Sequence, residues 1–102
     1  MLDRNMLKQV QDLQKGILKA QEELAAAVVE GTAGGGVVTA RLNGRQEFES
    51  ITISPEVVDP EEVEMLQDLV AAAVNDAERK LKELTEQKMG PVTGGMQIPG
   101  FS

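Results

Sequence analysis

The chain has 102 residues, 10 basic and 17 acidic side chains, a formal charge of −7, and neither histidine nor cysteine. Thiolate nucleophiles, His-assisted serines, soft-metal sites and disulfide frameworks are excluded, because each needs atoms that these two residue types supply. The size fits one domain with a modest core, where association is a common source of extra stability.

An enzyme is therefore disfavoured, and no cofactor, metal or small-molecule substrate is expected. The longest apolar runs, Leu24–Val29 and Leu69–Val74, fall far short of the roughly 20 residues that span a bilayer, so no membrane partner is expected either. The start, Met1-Leu2-Asp3-Arg4-Asn5, has neither a secretory nor a transit pattern. With no cysteine, this favours a reducing cytoplasm. A net-acidic chain has no overall field drawing it to nucleic acid, so such binding would need a local cluster of positive charge.

From Leu2 to Leu24 the apolar residues Met6, Val10, Leu13, Ile17, Ala20 and Leu24 recur at alternating steps of four and three. That is the seam spacing of a coiled coil, and it predicts a long first helix. The glycine-rich run Gly31-Thr32-Ala33-Gly34-Gly35-Gly36 ends any helix. Just before it, Val28-Val29 predicts a short strand from about Ala27 to Thr32.

Val37 to Leu42 reads as a second strand. Asn43-Gly44 then predicts a two-residue hairpin turn with positive φ angles, leading to a third strand ending in Ile51-Thr52-Ile53. With that turn Leu42 pairs with Arg45. Val38, Ala40 and Leu42 then share a face with Glu47, Glu49, Ile51 and Ile53, while Val37, Thr39 and Phe48 point to the other side.

Asp59-Pro60-Glu61-Glu62 predicts a helix start, with Asp59 capping and Pro60 in the first turn. Val63, Leu66, Val70, Ala73, Ala77, Leu81 and Leu84 follow at helical spacing, so a second long helix is expected from Pro60 to about Lys88. Glycines at 90, 94, 95 and 100 and prolines at 91 and 99 mark an irregular tail over 89–102. In that tail Met96, Ile98 and Phe101 offer apolar anchors. The expected organisation is one domain over 1–88 plus this tail. Its order is α-β-β-β-α, a two-layer α+β domain with two long helices flanking a small antiparallel sheet.

Three constellations bear on function. The carboxylates of the second helix alternate with Arg79, Lys80 and Lys82 at spacings of three and four: Asp76 with Lys80, Glu78 with Lys82, Arg79 with Glu83, Lys82 with Glu86. This favours a solvated, salt-bridged face over a catalytic or metal site. Gly34-Gly35-Gly36 leads into a strand rather than a helix and lacks the Lys-Ser/Thr of a phosphate loop. On the first helix, at about 100° per residue, Arg4, Lys8, Lys15 and Lys19 fall within about 40° of the direction opposite the apolar stripe. They form one basic ridge. By itself this is the polar face of an amphipathic helix, but it also has the form of a phosphate-contacting surface. The stripe outruns a six-residue strand, so part of it overhangs the sheet, which argues for a homodimer.

The segments Met65 to Ala77, Lys88-Met89 and Gly95-Met96-Gln97-Ile98-Pro99-Gly100-Phe101 resemble the YbaB/EbfC family of bacterial nucleoid-associated proteins. The likeness continues upstream through Gly31 to Gly36, Asn43-Gly44 and Ile53-Ser54-Pro55-Glu56, so it covers essentially the whole chain. Ser54, where the family commonly has Asp or Asn, and Val57-Val58, in place of a leucine pair, depart from the pattern.

The resemblance implies a tweezer-like homodimer that binds double-stranded DNA with low sequence specificity and alters its conformation. It further implies a place in the nucleoid, with roles in nucleoid organisation, DNA protection and gene expression. The family's projecting helices are implicated in DNA contact, which adds Arg79, Lys80, Lys82 and Lys88 to the ridge as candidates. A competing reading is a protein-binding, chaperone-like scaffold of prefoldin type, since two coiled-coil-like helices joined by a hairpin describe such subunits as well.

Overall fold

The computed structural model describes residues 3–93. Helix α1 spans Arg4–Ala26 and is followed by β1 (Val28–Ala33), β2 (Val38–Asn43), β3 (Phe48–Ile53), a 3₁₀ turn at Pro55–Val57 and helix α2 (Val63–Thr93). The α-β-β-β-α order is the one expected from hydrophobic spacing. Asp3 caps α1, its carboxylate accepting a hydrogen bond from the Met6 amide at 2.8 Å. Such a cap typically contributes about 0.5 to 2 kcal/mol.

The three strands form one antiparallel sheet in the order β1-β2-β3. Its connection between β2 and β3 differs from the expected turn. Neither Asn43 nor Gly44 adopts a positive φ; Gln46 does, at 64°. The Asn43 side chain accepts from the amides of Arg45 and Glu47, and its own amide donates to the Glu47 carbonyl. These bonds widen the turn, so Leu42 pairs with Phe48 rather than Arg45. Gly44 is required for another reason: a Cβ there would collide with the Leu24 carbonyl at the end of α1.

A bulge between Arg41 and Leu42 then shifts the ladder. Val38 and Ala40 face Ile53 and Ile51 as expected. Phe48, however, joins Leu42, and Glu49 reaches the Arg41 guanidinium at 3.8 Å, on the opposite side from the one expected.

Helix α2 covers the face formed by Val38, Ala40 and Leu42, burying Ala73, Ala77 and Leu81 against them. The helix sits so close to β1 that a Cβ on Gly31 would collide with the Ala73 carbonyl and the Ala77 amide. Small residues at matched positions on both elements permit this approach.

The ends of α2 also differ from expectation. Asp59 accepts from the Glu61 amide through its carboxylate and from the Glu62 amide through its carbonyl, forming a turn that occupies the residues read as the first helical turn. Regular helix begins only at Val63. At the other end α2 continues through Gly90 and Pro91 to Thr93. Pro91 removes one backbone donor, a loss the last turn of a long helix tolerates. The rest of the expected tail, with Met96, Ile98 and Phe101, lies outside the described residues.

Four contacts fix the direction of α2. Leu69 lies against Gly34, Asp76 accepts from the Thr32 amide, Lys80 donates to the Glu30 carbonyl, and Lys88 pairs with Glu23 at 3.2 Å. The helix thus runs antiparallel to β1 and then to the C-terminal part of α1. There Ala20 is buried, and Ile17 and Leu24 are half-buried. The N-terminal part of α1 projects beyond, giving an elongated molecule of 70 × 24 × 17 Å. No helix among the described residues is long and apolar enough to cross a membrane.

Candidate nucleic-acid interface

A cation can serve an anionic polymer only if it is not already neutralised within the protein. The eight candidate positions divide sharply on this point. Lys80 is tied down twice, donating to the Glu30 carbonyl at 2.8 Å and pairing with Asp76 at 3.3 Å. Arg79 bridges Asp76 and Glu83, both at 2.8 Å. Lys88 pairs with Glu23 across the two helices. Away from α2, Arg41 lies between Glu30 and Glu49 on the outer sheet face.

Asp76 is the hub of the α2 cluster. The Thr32 amide, the Arg79 guanidinium and the Lys80 ammonium all donate to it, and they hold its pKa down at about 2. The backbone hydrogen bond is the largest cause, followed by the one from Arg79. In return, the Asp76 and Glu83 hydrogen bonds push the Arg79 pKa further up. Of these groups, Asp76 and Lys80 fasten α2 to β1 through Thr32 and Glu30.

Arg4, Lys8, Lys15 and Lys19 are all exposed, and among the described residues none makes an ion pair. They lie on α1 opposite the side that meets α2, over about 22 Å of helix, some two-thirds of a duplex turn. Lys82 is also exposed, and among the described residues it makes no ion pair, neither with Glu78 nor with Glu86. Arg45, at the hairpin beside the end of α1, is a further exposed cation that makes no ion pair among the described residues, and the charge pattern of the two helices does not point to it. Its place beside α1 depends on the close Gly44–Leu24 contact, which no local pattern announces.

A helix-borne, unpaired basic ridge on an acidic chain is chemistry suited to phosphate, and the whole chain has a known counterpart. The match to the YbaB/EbfC DNA-binding family spans residues 2–96. The chain belongs to this family.

It is 56% identical over 97 residues to a nucleoid-associated protein of Chloroflexus aurantiacus, covering 95% of this chain and 97% of that one. It is 51% identical over 98 residues to a nucleoid-associated protein of Roseiflexus castenholzii, covering 96% and 97% of the two chains. A crystal structure of an uncharacterized Helicobacter pylori protein has the same fold, with a TM-score of 0.72 at 22% identity, over 92% of this chain and 100% of that one. Membership of this DNA-binding family sets aside the prefoldin-type reading. Consistent with this, α1 and α2 do not pair along their full length, as prefoldin-type helices do.

Proposed function

We propose that this YbaB/EbfC protein acts in the cytoplasm as a nucleoid-associated homodimer, binding double-stranded DNA with low sequence preference and altering its conformation. The observation that carries the reading is the ridge of Arg4, Lys8, Lys15 and Lys19, exposed on the side of α1 away from α2 and, among the described residues, without ion pairs. Such side chains contact phosphates, which are alike at every base pair, and this accounts for low specificity. The ion-paired state of Arg79, Lys80 and Lys88 supports giving them a secondary part.

The dimer is supported by an uncovered sheet face. β3 carries Phe48 and Ile51 on the side that α2 covers over β1 and β2, yet they are 39% and 44% exposed. An apolar continuation of the core is a suitable surface for a second copy. Sedimentation at micromolar concentration should give twice the chain mass of 11.0 kDa; a clean monomer would overturn this part. Titration of random-sequence duplex DNA at several salt concentrations tests the rest. Log affinity should fall linearly with log salt, with little difference between sequences. Binding that ignores salt, or that needs one particular sequence, would refute the phosphate-ridge mechanism.

A further inference from the structure

The projecting part of α1, the arm, has two long faces, and the proposed DNA contact uses only the basic one. The other carries Met6, Val10 and Leu13, which continue the stripe that packs on α2 lower down, yet Met6 and Val10 are 49% and 43% exposed. With the helices antiparallel and Glu23 paired to Lys88, Thr93 at the end of α2 lies near the level of residue 18 of α1. From that level to Met6, about 18 Å of the stripe has no cover among the described residues.

The residues beside the stripe restrict what suits it. At about 100° per residue, Gln9 flanks it on one side and Leu7 and Gln14 on the other, while every charged side chain from Arg4 to Lys19 points more than about 100° away. A seam with uncharged edges accepts an identical seam, because no like charges meet along it. The stripe has the spacing of helices that pair, and lower down, where α1 meets α2, Ala20 is buried.

Charge decides the direction. Parallel arms would set Lys8 beside Lys8, Asp12 beside Asp12 and Lys15 beside Lys15. Antiparallel arms centred on Val10 instead bring Asp12 of one level with Lys8 of the second copy, on the same flank. Arg4 and Lys15 come level with the uncharged Gly16 and Asn5 of the second copy. Met6 of each arm then lies against Leu13 of the other, the reciprocal pattern of a two-fold contact. Arms paired in this way turn their basic ridges outwards in opposite directions, each open to its own duplex.

We propose that the arms of two copies pair antiparallel about Val10, and that the pair holds two duplexes, one on each outer side. This contact is separate from the β3 face given to the homodimer, so one copy can use both. The pairing stands without the DNA reading; the holding of two duplexes rests on it.

With no native cysteine, single substitutions read the pairing. Val10 lies on the two-fold axis, so Val10→Cys should form a disulfide between copies under mild oxidation at least about tenfold faster than Lys15→Cys, on the outer side. Met6→Cys should be slow as well, since antiparallel arms stagger the two Met6 positions by about 12 Å. Equal rates for Val10→Cys and Lys15→Cys would overturn the pairing, and a Met6→Cys rate matching that of Val10→Cys would overturn its direction. Val10→Glu, which sets two like charges at the axis, should bind one duplex as the wild type does but lose the capture of a fluorescent duplex by a surface-bound one. Undiminished capture by this variant would overturn the bridging. If the wild type binds no duplex, the DNA reading fails and the bridging with it, while the cysteine rates still decide the pairing.

Discussion

Where α2 crosses β1 and β2, contact is made by Gly31, Ala40, Ala73 and Ala77, residues with almost no side chain to move aside. At the other end of the molecule α1 carries long, exposed lysines and an uncovered apolar stripe. Both regions are built on amphipathic helices of similar composition. In the first, Asp76, Arg79 and Lys80 are ion-paired and the backbones nearly touch; in the second, among the described residues, Arg4, Lys8, Lys15 and Lys19 make no ion pair and the stripe has no cover. Stability is thus concentrated at the sheet, and the proposed DNA contact falls on the arm. Substitutions in the two regions should accordingly fail in different ways.

The largest effect is expected at the sheet. Gly31→Val places a branched side chain against the backbone of α2 at Ala73 and Ala77, and backbone cannot rotate out of the way. Overpacking of a tight core costs typically about 1 to 3 kcal/mol and occasionally more. Here about 3 kcal/mol or outright unfolding is expected by urea denaturation. A loss below about 1 kcal/mol would mean that α2 does not sit on β1 so closely. Leu42→Ala, which removes a fully buried side chain from the same core, should cost about 2 to 5 kcal/mol.

The complementary change is on the arm. Lys15→Glu with Lys19→Glu alters two exposed residues one turn apart, so stability should change by no more than about 0.5 kcal/mol for each. DNA affinity should fall on every duplex sequence tested, and the salt slope should become shallower by roughly 0.9 for each phosphate that the ridge no longer neutralises. Wild-type affinity and slope in this double variant would make the ridge merely a solvated face.

How much of this contrast is legible in sequence depends on how local the cause is. Both helices and the ridge follow from spacing within single segments, which periodicity reports directly, and the three strands from β-branched residues beside local turn signals. The hairpin departs from its dipeptide preference because Asn43 spends its side chain on the amides of Arg45 and Glu47, a competition that the preference does not contain. The later start of α2 has the same origin in the bonds made by Asp59. In sequence Gly31 resembles part of a flexible run, although its need for glycine comes from α2, more than forty positions away. At the candidate site, spacing identifies the basic residues but does not tell which are free. The Lys80–Glu30 and Lys88–Glu23 contacts that separate them are tertiary.

A smaller, pH-dependent effect is expected at Asp76, where the paired side of the comparison can be titrated. Its folded-state pKa of about 2 lies below the ordinary carboxylate value, chiefly through the Thr32 amide and Arg79. Ionised Asp76 therefore stabilises the fold above about pH 4, and that stabilisation is lost as pH falls towards 2. Asp76→Asn should lower the urea midpoint at neutral pH, with the gap from wild type narrowing over that acid window. A gap independent of pH would show that the carboxylate acts through shape and hydrogen bonding alone.

The smallest effect, and the sharpest division between paired and unpaired cations, is expected at Arg79. Its guanidinium is exposed, and a phosphate could reach it, but Asp76 and Glu83 already hold it from two sides at 2.8 Å. Engaging DNA would mean giving up two hydrogen-bonded ion pairs for one phosphate, while bringing both carboxylates towards the polyanion. Little net gain remains from such an exchange. Arg79→Gln should therefore leave duplex affinity within about twofold, or ~0.4 kcal/mol, and the salt slope unchanged. Lys15→Gln, removing the same charge from the ridge, should lower the affinity further and reduce the slope. If the two single variants weaken binding equally, ion pairing on α2 does not withdraw its cations from DNA, and the interface extends onto that helix.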